Sequence, residues 1–332
     1  MSEYAQSHLR EIEASAQRIR SYVRWTPALA AELEGEVILK PECLQVTGAF
    51  KARGAFNAVL QLRQAKPGLR GVIAVSSGNH AQAVALAART LGVPAVIVIP
   101  ADSNPAKIAA TRDYGAEVIT QGVTAENREQ LVRQLASERG LELVHPFDDW
   151  NVIHGQGTAA HELLHDRPDV RTIVAPVGGG GLISGTALAA KGRDPTIRVI
   201  GVEPELAADA AATLRARQRQ ALSEPPTTIA DGVRTLAIGE RSFEVMVTHG
   251  LVDDIVTVSE AEIEAGLVAG WERLKLALEA TGALPVAASL GGGLAGLPRP
   301  MAFILSGGNF DRALLGRIFS GAGGGPQRQP PV

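Results

Sequence analysis

The chain has little of what cross-links a protein or anchors it elsewhere. Its 332 residues include one cysteine, Cys43, so no internal disulfide can form, which suits a reducing compartment and a cytoplasmic location. Cys43 itself reads as a small buried hydrophobe. Aromatic residues are only 4% of the chain, and the formal net charge is −3. That balance gives no reason to expect nucleic acid or an anionic membrane as partner. The run Arg215-Ala216-Arg217-Gln218-Arg219, which lacks interleaved aromatics, reads as a solvated helix face. Long hydrophobic runs are missing too: Val93 to Ile99 is short and contains Pro94, as a buried strand and not a membrane span would be. The first residues, with Glu3, Arg10, Glu11 and Glu13, lack the apolar core of a signal peptide and suggest an amphipathic helix from about Ala5 to Arg20.

Lysine is also scarce. The chain has six, at positions 40, 51, 66, 107, 191 and 275, out of 32 Lys and Arg residues together. A lysine can lose its proton near neutrality when desolvated and then form an imine, which arginine cannot do. Lys51 stands out because it follows Thr47-Gly48-Ala49-Phe50 and begins a helical stretch running to Arg63. Glycines at 48 and 54 would let a ligand approach the backbone.

What the chain does have is 45% hydrophobic and 20% charged residues, ample for a buried core, at a length that suits two domains or one large α/β unit. Strand patterns at Gly71–Val75, Ala95–Ile99, Glu117–Thr120, Glu142–Val144, Thr172–Val177, Arg198–Val202, Asp254–Val258 and Met301–Leu305 alternate with helical ones. Such alternation predicts a mostly parallel sheet flanked by helices. Gly92 and Gly115 each sit just past a helical pattern, as C-terminal caps.

Three loops follow such strands directly: Ser76-Ser77-Gly78-Asn79-His80, Gly178-Gly179-Gly180-Gly181 and Ser306-Gly307-Gly308-Asn309. Ligands of open α/β sheets bind at these carboxyl ends. Four consecutive glycines before a helix can cradle a phosphate with free N–H groups and the helix dipole. A dinucleotide fingerprint is excluded, because Ile183 or Ser184 would stand at the third glycine position. An imine-forming lysine together with a phosphate cup points to pyridoxal phosphate.

The chain resembles the fold-type II pyridoxal-phosphate enzymes, within them the serine/threonine dehydratase and serine racemase group. The matching runs are Lys40-Pro41-Glu42 with Leu44-Gln45, Thr47 to Ala55, Ser76 to Gln82, Gly155 to Thr158, Pro176 to Gly185, Gly201 to Pro204, Ile229 to Val233 and Ser306 to Asn309. The resemblance implies a tryptophan-synthase-β-like fold of two open, mostly parallel α/β domains with the cofactor in the cleft between them. Residues 1–70 and 149–320 would form the larger domain and 71–148 the smaller. A glycine- and proline-rich stretch, 321–332, reads as a disordered tail.

The same resemblance implies roles. Lys51 would hold the cofactor as an imine and then take the substrate Cα proton. Phe50 and Gly232 would sandwich the ring, Asn79 would bond its phenolic oxygen, Gly178, Gly179, Gly180 and Gly181 would bind its phosphate, and Ser306 would meet the ring nitrogen. Ser76, Ser77, Asn79 and His80 would grip the substrate carboxylate. Glu203, Ala207 and Asp209, two carboxylates and a carbonyl at a helix start, would hold Mg²⁺, or Ca²⁺ or Mn²⁺. A homodimer is implied as well. His145 and His154 read as structural, their spacing giving no ligand set.

The expected reaction is β-elimination of water from L-serine or L-threonine, giving pyruvate or 2-oxobutanoate and ammonia. Racemisation is the close alternative, with Ser77 as acid/base on the opposite face, and 3-hydroxyaspartate is an alternative substrate. Ala49 replaces a serine common in relatives, and Val46 stands where nucleotide-activated racemases carry lysine, which argues against ATP activation. A cysteine-synthase-type enzyme fits the Lys51 surroundings poorly. A non-catalytic ligand-binding or regulatory protein on the same fold would have no need of Lys51.

Overall fold

The computed structural model describes residues 3–124 and 126–321. Among them run the strands β1 (Leu29–Leu33), β2 (Gly35–Pro41), β3 (Val72–Val75), β4 (Ala95–Val98), β5 (Glu117–Ile119), β6 (Glu142–Leu143), β7 (Thr172–Pro176), β8 (Arg198–Pro204), β9 (Asp254–Val258) and β10 (Met301–Leu305). They make two sheets. The larger has the order β1-β2-β10-β7-β8-β9 and is parallel except for β1, which folds back antiparallel on β2. The smaller, β5-β4-β3-β6, is parallel throughout, and its strands all lie between Val72 and Leu143. This is the mixed α/β, mostly parallel architecture that the alternating pattern predicts.

The apolar runs are continuous because helices cover both faces of each sheet. Successive side chains on a strand point to opposite faces. Accordingly Ala302 and Ile304 enter one core of the large sheet, while Met301, Phe303 and Leu305 enter the other. Ile173 and Ala175 likewise oppose Val174. In the small sheet Val72 and Ala74 face one core, and Ile73 and Val75 face the second. The first of these small-sheet cores also takes in Ala52, Ala55, Phe56 and Val59 from the helix Lys51–Ala65, which therefore bridges the two sheets.

The eight expected strands form with ends shifted by at most two residues, and the N-terminal helix runs Glu3–Ile19. Gly92 and Gly115 adopt left-handed φ values of 67° and 91° just past their helices, as their cap positions require. Unforeseen was the β1–β2 hairpin. Its reversal is confined to Glu34 and Gly35, with Gly35 at φ 95°, so too few turn residues mark it in the sequence. Of the expected tail, Gly321 ends the helix Arg312–Gly321. Residues 322–332 lie outside the described residues. His154 shares a 2.8 Å hydrogen bond with His8 of the N-terminal helix, and His145 Nδ1 accepts from the Asp148 N–H at 2.8 Å.

Behind Lys51 lies a buried ionic cluster. The Arg53 guanidinium bonds Glu42 through Nε (2.7 Å) and Nη2 (2.8 Å), and Glu162 through Nη1 (2.7 Å) and Nη2 (2.8 Å). Lys40 donates to Glu162 (2.7 Å) and to the Thr26 carbonyl (2.6 Å), while Thr26 Oγ1 donates to Glu42 (2.6 Å). Burial by itself would push Glu42 up, but Arg53 keeps its carboxyl below the ordinary value. The cluster ties the end of β2 to the start of the helix Lys51–Ala65 and to the helix Trp150–Asp166. Removing one member strands a buried charge. Arg53→Ala should therefore lower the stability seen in urea denaturation by about 3–5 kcal/mol, or prevent soluble expression. An unchanged midpoint would show that the cluster contributes little.

Candidate active site

A cleft of about 680 Å³ opens between the two sheets. The carboxyl ends of β3 and β10 supply its loops, as the sequence pattern requires for a ligand site. It is lined by Phe50, Lys51, Ser76, Ser77, Asn79, His80, Gly179, Gly232 and Ser306 among the expected residues. Gly178, Gly180 and Gly181 flank Gly179 without lining the cleft, and Glu203, Ala207 and Asp209 lie apart from it.

Lys51 opens its helix with Nζ 2.7 Å from the Pro146 carbonyl and 5.1 Å from the centre of the Phe50 ring. Desolvation lowers its pKa to about 8, against the opposing pull of Glu279. A substantial fraction of the amine is then neutral near physiological pH. This is the state a nucleophilic or proton-abstracting lysine needs.

Two helices start at the cleft without a side-chain cap. The helix Asn79–Leu91 begins after Gly78, and Gly181–Arg193 begins after Gly180 at φ 88°. Their first N–H groups stay free for anions, one at the serine loop and one at the glycine loop. The glycines are sterically required: a Cβ on Gly179 would stand 2.3 Å from the Phe147 ring, and one on Gly180 2.6 Å from Ser242. His80 shares a hydrogen bond between Nε2 and the Val144 carbonyl (2.9 Å), and burial, then Lys51, lowers its pKa to about 3. It is therefore a neutral ring, and any grip on a carboxylate must come from the loop's hydroxyl and N–H groups.

The far wall is built from β10. The Ser306 hydroxyl is buried, has no hydrogen-bond partner and lines the cleft, so a ligand could complete it. Next to it Glu279, 5% exposed, accepts from Asn79 Nδ2 at 2.8 Å. The sequence reading passed over Glu279, as it did Asn309 in this role and the carbonyl of Pro146. The signal for Glu279 was a single carboxylate in the otherwise apolar stretch Leu276 to Ala280.

A family model described as pyridoxal-phosphate dependent enzyme matches residues 18–307. The chain belongs to this enzyme family. It is 42% identical over 317 residues to L-threo-3-hydroxyaspartate ammonia-lyase of Saccharomyces cerevisiae, covering 94% of this chain and 96% of that one. It is 41% identical to a serine racemase of Arabidopsis thaliana, over 92% and 93% of the two chains. Among solved structures, a threonine deaminase from T.th. superposes with a TM-score of 0.87 at 48% identity, covering 91% of this chain and 98% of that one. The fold is accordingly that of the fold-type II enzymes.

The residues present fit pyridoxal phosphate. A depressed amine, an unpartnered buried hydroxyl and an uncapped glycine-led helix all face one cleft or border it, and each suits a different part of that molecule. The residues proposed for a metal also suit a cation. Glu203 and Asp209 are 0% and 1% exposed. Burial and the charge of Asp209 raise the Glu203 pKa well above normal, and burial raises that of Asp209 to about 7. Glu203 accepts from the N–H groups of Ala210 (3.2 Å) and Ala211 (2.9 Å), whereas both Asp209 oxygens lack a hydrogen bond of normal geometry. Among the described residues no three His, Cys, Asp or Glu side chains form a metal cluster. A cation here would draw on two carboxylates, the Ala207 carbonyl and water.

The Lys51 pKa of about 8 carries a prediction. The rate at which the apoprotein forms its imine with added pyridoxal phosphate, followed by absorbance, should rise about tenfold per pH unit below 8 and level off above it, as the neutral amine becomes dominant. A flat profile from pH 6 to 9 would contradict the depressed amine.

Proposed function

We propose that the enzyme removes water from L-serine and L-threonine by β-elimination, giving pyruvate or 2-oxobutanoate with ammonia. The observation that carries this is the Lys51 amine, poised near neutrality in a cleft whose opposite wall offers the unpartnered Ser306 hydroxyl as partner for a ring nitrogen, while the Glu279 carboxylate beside it is engaged by Asn79. Pyridoxal phosphate, when bound, supplies a sink for the electrons left at the substrate Cα. Lys51 binds it and takes the Cα proton. Ser76, Ser77 and the first N–H groups of the helix Asn79–Leu91 hold the substrate carboxylate. Phe50 and Gly232 would flank the ring, Asn79 would meet its phenolic oxygen, and Gly178 to Gly181 would take the phosphate. Ser306 accepts or donates as the ring nitrogen requires, so it does not enforce a positive charge there. The enamine product hydrolyses in water.

In this reading residues 71–148 form the unit that carries the substrate loop, and 1–70 with 149–320 the unit that holds the cofactor. Mg²⁺ at Glu203 and Asp209, a homodimer and a cytoplasmic location belong to the same proposal. Among the described residues no helix is long and apolar enough to cross a membrane. Ser77, which lines the cleft, supports racemisation as a side activity. A second reading, 3-hydroxyaspartate as substrate, is favoured by Arg128: it lines the cleft and its buried Nε has no hydrogen-bond partner, so a second carboxylate would satisfy it.

Proton NMR of L-serine with the holoenzyme in deuterated water should show pyruvate, and Lys51→Ala should lose turnover by at least about 10³-fold. Retained activity in that variant would sink the mechanism. A signal lost at Cα without pyruvate would favour racemisation, and turnover of 3-hydroxyaspartate alone would favour the second reading. Chelation should lower both activity and melting temperature, with Mg²⁺ restoring them; unchanged values would remove the metal from the proposal.

A further inference from the structure

We propose that Glu279 is a positioning residue of this active site, fixing which way the Asn79 amide points and setting the charge that Lys51 faces. The argument rests on the cofactor reading above and begins at a carbonyl. Thr47 O can only accept, and Asn309 Nδ2 lies 2.7 Å from it, so Asn309 must present its NH₂ group there. The same Nδ2 lies 2.8 Å from Asn79 Oδ1, so Asn79 presents its oxygen to Asn309. The Asn79 NH₂ group is thereby turned to Glu279, whose Oε1 accepts at 2.8 Å. One Asn79 N–H remains, and whatever it meets in the cleft must be an acceptor. A phenolic oxygen is one.

The backbone makes room for both ends of this chain. A Cβ on Gly48 would stand 2.6 Å from Asn309 Oδ1, and a Cβ on Gly307 2.4 Å from Glu279 Oε1. Thr47 is held at φ 62°, a conformation that a non-glycine residue adopts only when its surroundings demand it. Glycines at 48 and 307 thus serve the Asn309–Asn79–Glu279 chain, in addition to opening the cleft.

Charge gives Glu279 its second role. Buried though it is, among the described residues it enters no ion pair of the kind that neutralises Glu42 and Glu162. The ionisable groups whose fields reach it are Asp231, Lys107, Lys51 and, more weakly, Cys43. Burial and Asp231 raise its pKa to about 8, while Asn79, Lys107 and the Asn309 N–H favour the ionised form. An ionised Glu279 raises the Lys51 pKa against the effect of burial, and a neutral one leaves that effect unopposed. Glu279 acts in both roles through another residue and need not touch the reacting atoms.

The two roles separate by substitution. Glu279→Gln keeps an acceptor for Asn79 and cannot ionise, whereas Glu279→Ala loses both. Equilibrium binding of pyridoxal phosphate to the apoproteins should stay within about threefold of wild type for the glutamine variant. It should weaken about tenfold or more for alanine, which leaves a buried donor unpaired. The absorbance of the bound cofactor, titrated from pH 6 to 10, should show an inflection near 8 in wild type that is missing in the glutamine variant. Equal affinity in the alanine variant, or an identical titration in the glutamine variant, would overturn the proposal while leaving the cofactor reading intact. If wild type itself formed no borohydride-reducible complex, the cofactor reading would fall and the proposal with it.

Discussion

The Arg53 guanidinium, held between Glu42 and Glu162 with Lys40 beside it, is the interaction on which the site depends. Arg53 lies two residues after Lys51 on one helix, and its partners come from the end of β2 and from the helix Trp150–Asp166. Two cations and two carboxylates leave the cluster without net charge, so it fixes the position of Lys51 and adds little field to it. Such a cluster is weak as a source of stability, since desolvation offsets most of its attraction. Its effect is geometric: four segments distant in sequence can meet in only one way.

The cleft shows the opposite electrostatics. In the Arg53 cluster every buried charge is paired, whereas among the described residues Lys51 donates to a carbonyl and Glu279 accepts from amides without an ion pair. Ser306 Oγ and His80 Nδ1 are buried without a partner. Unsatisfied groups of this kind are costly in a native fold and tend to collect where a ligand completes them. Asp209, beside Glu203, repeats the pattern away from the cleft. Unmet polar groups thus occur in the cleft, at Ser306 and His80, and beside Glu203, at Asp209, while others such as Gln156 Nε2 and Thr186 Oγ1 lie elsewhere in the fold.

The regular elements were legible because buried parallel strands leave unbroken apolar runs. Met301–Leu305, buried throughout, could be read to the residue, since helices on both faces permit no polar interruption; Asp254–Val258, an edge strand holding Asp254 and Thr257, was legible from its β-branched residues instead. The β1–β2 hairpin escaped notice because its turn needs only one left-handed glycine, and Leu29–Leu33 carries no long apolar run. Glu279 escaped for a different reason. A glutamate ordinarily signals solvent, and only the fold, by bringing Asn79 from another sheet 200 residues away in sequence, turns it into a buried acceptor.

The sequence by itself determined the local chemistry: a lysine after a Thr-Gly turn, four glycines before a helix, serines closing strands, and a hydrophobic period that permits only a layered α/β fold. These follow from steric and hydrogen-bonding rules that act over a few residues. The tertiary structure alone decided which groups share a cleft, that His80 stays neutral while Lys51 gives up its proton near pH 8, and that Glu279 faces both Asn79 and the field of the lysine. Those outcomes depend on burial and on through-space charge, which are properties of distance in the folded chain and leave no trace in the order of its residues.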